Sequence, residues 1–155
     1  MRKHTSTAAT AGFTLIELIA VLILTAILGI VIAPRMATRS TFDTRGFADT
    51  TRSTLQHARR VAIAQRRTVC GNFASGSLSF SQSTVNGAAS CNLALSDPST
   101  GGTLSLTPPS GVSLGVTPAS FTFDGLGRPS SAVAITITGD VTRSLTIEAD
   151  SGYVH

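Results

Sequence analysis

The sequence predicts an α+β protein: a long N-terminal helix, apolar in its first half and amphipathic in its second, packed on a C-terminal antiparallel β-rich head. Three observations predict it. From Phe13 to Ala33 the chain is apolar apart from one charge, Glu17, and it meets its first proline at Pro34. Helical spacing of apolar residues then resumes from about Phe42 to Val69. After Cys70 the apolar period falls to two, and Gly, Ser and Thr separate the short apolar runs. Four segments follow: a leader (residues 1–12), an apolar helix (13–33), a basic amphipathic helix (34–69) and a globular head (70–155).

The leader is short and polar, with Arg2 and Lys3 at its start. It resembles the basic opening of a secretory signal, but the apolar run behind it is longer than a signal core and no small-x-small cleavage site follows. As a helix, the run from 13 to 33 would reach about 31 Å, the thickness of a bilayer's hydrocarbon core. Glu17 is costly inside such a segment, by roughly 2.5–3.5 kcal/mol at its centre. It either sits at headgroup depth or has a cationic partner. Pro34 removes one backbone donor, so a kink or local unwinding is expected there, with Gly29 adding close approach or flexibility.

The second helix carries the positive charge. Residues 34–67 hold eight arginines against Asp43 and Asp49, a balance of +6, whereas residues 68–155 balance at −3 within a total of +4. Phe47, Leu55, Ala58, Ala62, Ile63 and Val69 form an interrupted apolar stripe. Arg52, Arg59 and Arg66 recur every seven residues on another face, expected to turn outward. A basic stem of this kind meets anionic lipid, nucleic acid or acidic faces of neighbouring subunits, or is simply solvated.

In the head, Leu78–Ser81, Leu104–Leu106, Phe121–Phe123, Val133–Ile137 and Leu145–Ile147 alternate as strands. Asn86-Gly87, Gly101-Gly102, Pro108-Pro109, Asp124-Gly125 and Gly139-Asp140 read as turns. Five to seven short antiparallel strands are expected. Cys70 and Cys91 are the only cysteines. They are either a disulfide, worth roughly 3 kcal/mol by loop closure, or two buried thiols. A disulfide would put the head in an oxidising compartment, with the N-terminus inside.

No catalytic constellation is present. The three histidines are dispersed, and Gly125-Leu126-Gly127-Arg128 precedes no helix that could hold phosphate. Two cysteines without a nearby histidine make no zinc site, and Glu148 with Asp150 supplies too few oxygens for calcium. The expectation is a protein without enzymatic activity, cofactor or metal.

Gly12 followed by Phe13-Thr14-Leu15-Ile16-Glu17-Leu18, with a basic leader before and an apolar helix after, resembles the processing motif of type IV pilins and type II secretion pseudopilins. The resemblance implies that a prepilin peptidase cuts between Gly12 and Phe13 and that Phe13 becomes N-methylated. It implies that Glu17 neutralises the N-terminal amine of an adjacent subunit during assembly. Pro34 would match the proline around which such helices loosen. Within this superfamily, the stretch from Arg45-Gly46-Phe47 through Arg59-Arg60 and Arg66-Arg67-Thr68-Val69-Cys70 is similar to the GspH/FimT group of minor pilins and pseudopilins, which includes MshC-like minor MSHA pilins.

The implied protein is a non-enzymatic filament subunit, held by a single pass in the inner membrane with a periplasmic head, before it joins other pilins in a pilus or pseudopilus. The group also implies an alternative, DNA binding in natural transformation. There Arg59, Arg60, Arg66 and Arg67 would contact phosphates. The C-terminal residues Asp150 to His155 lack the basic tail expected of such DNA-binding members.

Overall fold

A computed structural model describes the backbone of residues 13–37 and 39–155, and all of their side chains except those of residues 29–41. The chain forms two units, Met1–Thr38 and Arg39–His155. In the first, the apolar run becomes helix α1 (Leu15–Ala37). This helix continues through Pro34, so of the kink or local unwinding expected there the unwinding is not seen: a proline deletes one intrahelical hydrogen bond, and the neighbouring bonds can carry the helix past it. Gly12 and the rest of the leader lie outside the described residues, as does the side chain of Pro34. Among the described residues no helix is long and apolar enough to cross a membrane. The expected 13–33 span runs past Leu28, where the described side chains of α1 end.

The second unit opens with helix α2 (Arg39–Gln65), shorter at both ends than the expected 34–69 segment. It buries Phe47, Ala48, Leu55, Ala58 and Ala62. Ile63 does not join this stripe but stays 41% exposed. The helix ends in a Schellman turn: Arg67 N donates to Ala62 O at 3.1 Å and Arg66 N to Ile63 O at 3.3 Å. Arg66 takes the left-handed conformation that this motif usually gives to glycine, with φ 52°. Val69 therefore starts a strand instead of finishing the helix.

That strand is β1 (Val69–Ala74), and a two-residue turn with positive φ at Ser75 and Gly76 returns it as β2 (Ser77–Gln82). Further along come β3 (Leu93–Ala94), β4 (Ser105–Leu106), β5 (Ser113–Thr117), β6 (Ser120–Phe123), β7 (Val133–Thr138) and β8 (Thr142–Ile147). Every pairing is antiparallel. One sheet runs β3-β2-β1-β6 with β4 also on β2; the other runs β5-β7-β8. The α+β expectation holds, with the head divided between two sheets.

Alternation in the strands sends one face of each sheet inward. Leu78 and Phe80 from β2, Phe121 and Phe123 from β6, and Val133, Ile135 and Ile137 from β7 are all 2% exposed or less. They meet the buried residues of α2 in one core. Fully burying each such side chain contributes about 1.5–3 kcal/mol. Gly71 in β1 faces Phe121 across the ladder, and a methyl group there would lie 2.5 Å from the ring. The absence of a side chain is what lets the ring cover the strand.

Candidate functional site

Two places collect the residues singled out in the sequence: the start of α1, and the seam between α2 and the head. At the first, Thr14 is the N-cap. Its hydroxyl accepts from Glu17 N at 3.3 Å, and its carbonyl accepts from Glu17 N at 3.1 Å and Leu18 N at 3.2 Å. Thr14-Leu15-Ile16-Glu17 has the T-x-x-E spacing of a capping box. That spacing was legible in the sequence but hidden by the apolar residues around it. The cap fixes Glu17 in the first helical turn, where a carboxylate is favoured by the helix dipole.

Apart from Thr14, the side chains around this charge are apolar and uncovered. Phe13 is 84% exposed, Leu15 77%, Ile16 71% and Leu18 60%. Phe13, Leu18, Val21 and Leu22 line a shallow groove beside Glu17. Exposed large apolar residues continue through Ile27 and Leu28 on all sides of the helix. The one hydroxyl among them, Thr25, is satisfied internally by Val21 O at 2.8 Å. A helix apolar on every side is stable only where lipid or other helices surround it. In such surroundings a carboxylate and an amine attract strongly, because neither is well solvated alone.

At the second place, the four arginines named as candidate phosphate contacts separate. Arg59 does not turn outward. It is half-buried, its Nε donating to Gly127 O at 3.1 Å and its Nη2 to Ser151 O at 2.8 Å. Gly127 and Gly152 both have positive φ, and any side chain on Gly127 would strike Ile63. The guanidinium thus clasps two turns of the head to α2. Arg60 donates to Gln56 O, one turn back on its own helix. Arg66 has left the helix to form its C-terminal turn, against Gly125. Seven-residue spacing therefore does not produce one outward stripe.

The turn that Arg59 holds is itself organised by Asp124, whose carboxylate accepts from Leu126 N at 2.9 Å, Arg128 N at 2.8 Å and Arg128 Nε at 3.2 Å. Burial pushes Asp124 up, but these N–H donors and the Arg128 charge together hold it below its ordinary value. Asp97 is lowered as well, chiefly by the Ser99 hydroxyl and backbone N–H.

Cys70 in β1 and Cys91 ahead of β3 form a disulfide, with Cα atoms 6.1 Å apart. The C-terminal segment folds back on β8: Thr146 and His155 exchange backbone hydrogen bonds at 2.8 and 3.1 Å, and Val154 is 1% exposed. Glu148 and Asp150 lie beyond the end of β8, and Glu148 accepts from the Ser151 hydroxyl at 2.9 Å. The two acids therefore do not share a strand face. Among the described residues no three acids, cysteines or histidines gather as metal ligands.

Comparison with known proteins places this arrangement. Residues 47–152 match the family model for the type II transport protein GspH. No curated protein sequence matches the chain. Among solved structures it is similar to the type IV minor pilin FimU of Pseudomonas aeruginosa, at 17% identity and TM-score 0.52, covering 77% of this chain and 89% of that one. It is also similar to EpsH, a minor pseudopilin from the type 2 secretion system of Vibrio cholerae, at 13% identity and TM-score 0.57, covering 73% and 94%. The matched region includes α2 from Phe47, both sheets and the Arg59 clasp, and the chain belongs to the GspH family, with the fold of minor pilins and pseudopilins.

Proposed function

We propose that the chain is a minor pilin or pseudopilin, a structural subunit that primes or joins a type IV pilus, MSHA-type pilus or type II secretion pseudopilus. A prepilin peptidase removes residues 1–12, and Phe13 is then N-methylated. The run from 13 to 33 anchors the subunit in the inner membrane, with the disulfide-bearing head in the periplasm, until it enters the filament. Glu17 then pairs with the Phe13 amine of a neighbouring subunit, and Pro34 lets the helix loosen on assembly.

One observation carries the reading: a GspH-family head follows a helix that is apolar on every side and bears a single carboxylate, held by Thr14 in its first turn. A buried charge pair contributes little net stability, since desolvation offsets attraction, but removing one partner leaves the other uncompensated. The pair acts as a register device. Replacing Glu17 by Ala should leave cleavage after Gly12 intact while abolishing recovery of the protein in sheared pili or overproduced pseudopili. Normal incorporation of Glu17→Ala would remove the proposed role of Glu17. The DNA-binding alternative loses Arg59, which is committed to Gly127 and Ser151, and its C-terminal tail, which is paired with β8.

A further inference from the structure

Strand β8 is the edge of its sheet, paired on one side with β7. Among the described residues, the C-terminal segment pairs with the other side only beside Thr146 and Glu148. Thr146 exchanges both backbone bonds with His155, and Glu148 N donates to Tyr153 O. Backbone direction alternates along a strand, so Ser144 and Thr142 present their N–H and C=O groups on that same outer side. No strand pairs with them there among the described residues.

Beside this open stretch, α2 and the inward face of β8 form a groove. Its walls are Arg45, Asp49, Arg52 and Arg143, and its floor is Ala48 and Leu145. Three guanidiniums and one carboxylate thus line the groove, and none of the four groups is in an ion pair among the described residues. Arg45 and Arg52 stand seven residues apart on one helix face, about 10.5 Å along the axis. An inward-pointing charge on an edge strand discourages apolar strands from adding, and here it leaves a strand of opposite charge as the complement.

We propose that this edge is a strand-addition site for an extended acidic segment of a partner protein. Residues of the incoming strand opposite Ser144 and Thr142 would exchange backbone hydrogen bonds with them. The alternate residues, on the face turned to α2, would lie opposite Arg143 and Leu145 with carboxylates toward the three arginines. Successive carboxylates on that face recur about every 7 Å, within the combined reach of the arginine side chains. Backbone pairing supplies affinity in this mode, and the charged face selects the partner. The site goes beyond the filament reading and uses none of the Phe13–Glu17 chemistry.

The test uses the full chain in detergent micelles and a fluorescently labelled heptapeptide of alternating Thr and Glu, Thr at both ends, followed by anisotropy. Saturable binding is expected. It should weaken about tenfold or more in Arg45→Glu/Arg52→Glu, and likewise in Arg143→Glu, while Arg60→Glu stays within about twofold of the parent. Circular dichroism of each variant should match that of the parent, so that a loss of binding is not a loss of fold. N-methylating the Thr amides should also abolish binding, since it removes the donors aimed at Ser144 and Thr142. Equal binding of a Thr/Lys peptide or of the N-methylated peptide would overturn the proposal. So would unchanged binding by the charge-reversed variants, or a short DNA duplex binding the same groove more tightly than the peptide.

Discussion

Arg59 does at residue scale what two or three hydrophobic contacts would do elsewhere: it ties the Gly127 and Ser151 turns to α2 through two carbonyl oxygens. Charge-assisted hydrogen bonds of this kind contribute more than neutral ones, and their removal leaves the buried Gly127 carbonyl unpaired. Arg59→Ala is expected to destabilise the head by roughly 1.5–3 kcal/mol, read as a shift in urea midpoint. Arg59→Lys should recover little, because a single ammonium does not present the guanidinium's fork. Asp124 and Asp97 contribute to the acid response. Both carboxyls are held below their ordinary value of 3.8 in the folded protein. The stability they contribute is present above that value and is lost as pH falls through their lower folded values. The urea midpoint should therefore drop on moving from pH 5 to pH 2, and Asp124→Asn should drop less over the same interval.

Among the elements, β1 shows where close packing depends on an absent side chain. Gly71→Ala would place a methyl group on the Phe121 ring, and overpacking of this kind costs about 1–3 kcal/mol. Phe121→Leu combined with Gly71→Ala should recover part of that loss, which denaturation of the two single variants and the double variant would measure as a coupling energy. The same glycine explains part of what sequence reading missed. The alternation that exposes β2, β6, β7 and β8 is interrupted in β1 by Gly71 and in β5 by Gly115, because strand alternation is read from side chains and glycine has none. The helical period ran on to Val69 because nothing in Arg66 announces a left-handed residue; only the Ala62–Arg67 hydrogen bond ends the helix. The Thr14 cap was legible from its spacing. The Arg59 clasp was not, since its acceptors are backbone carbonyls 68 and 92 residues away.

At the scale of the whole molecule, the division of charge and apolarity announced by the sequence becomes two units of different character. The head buries one continuous core between its two sheets and α2. Helix α1 presents Phe13 through Leu28 uncovered, with Glu17 as the only charged side chain among them. On the proposed function, lipid or neighbouring helices surround that helix, and Glu17 meets a cation at its own depth. The amine of Phe13 is such a cation only after the twelve residues before it have been removed. On the proposed function, leader removal is the step on which the Glu17 pairing and entry into a filament depend. The direct measurement is the intact mass of the protein recovered from cells that contain a prepilin peptidase. The expected mass is that of residues 13–155 with one added methyl group and the Cys70–Cys91 disulfide. A mass that retains residues 1–12 would contradict the account.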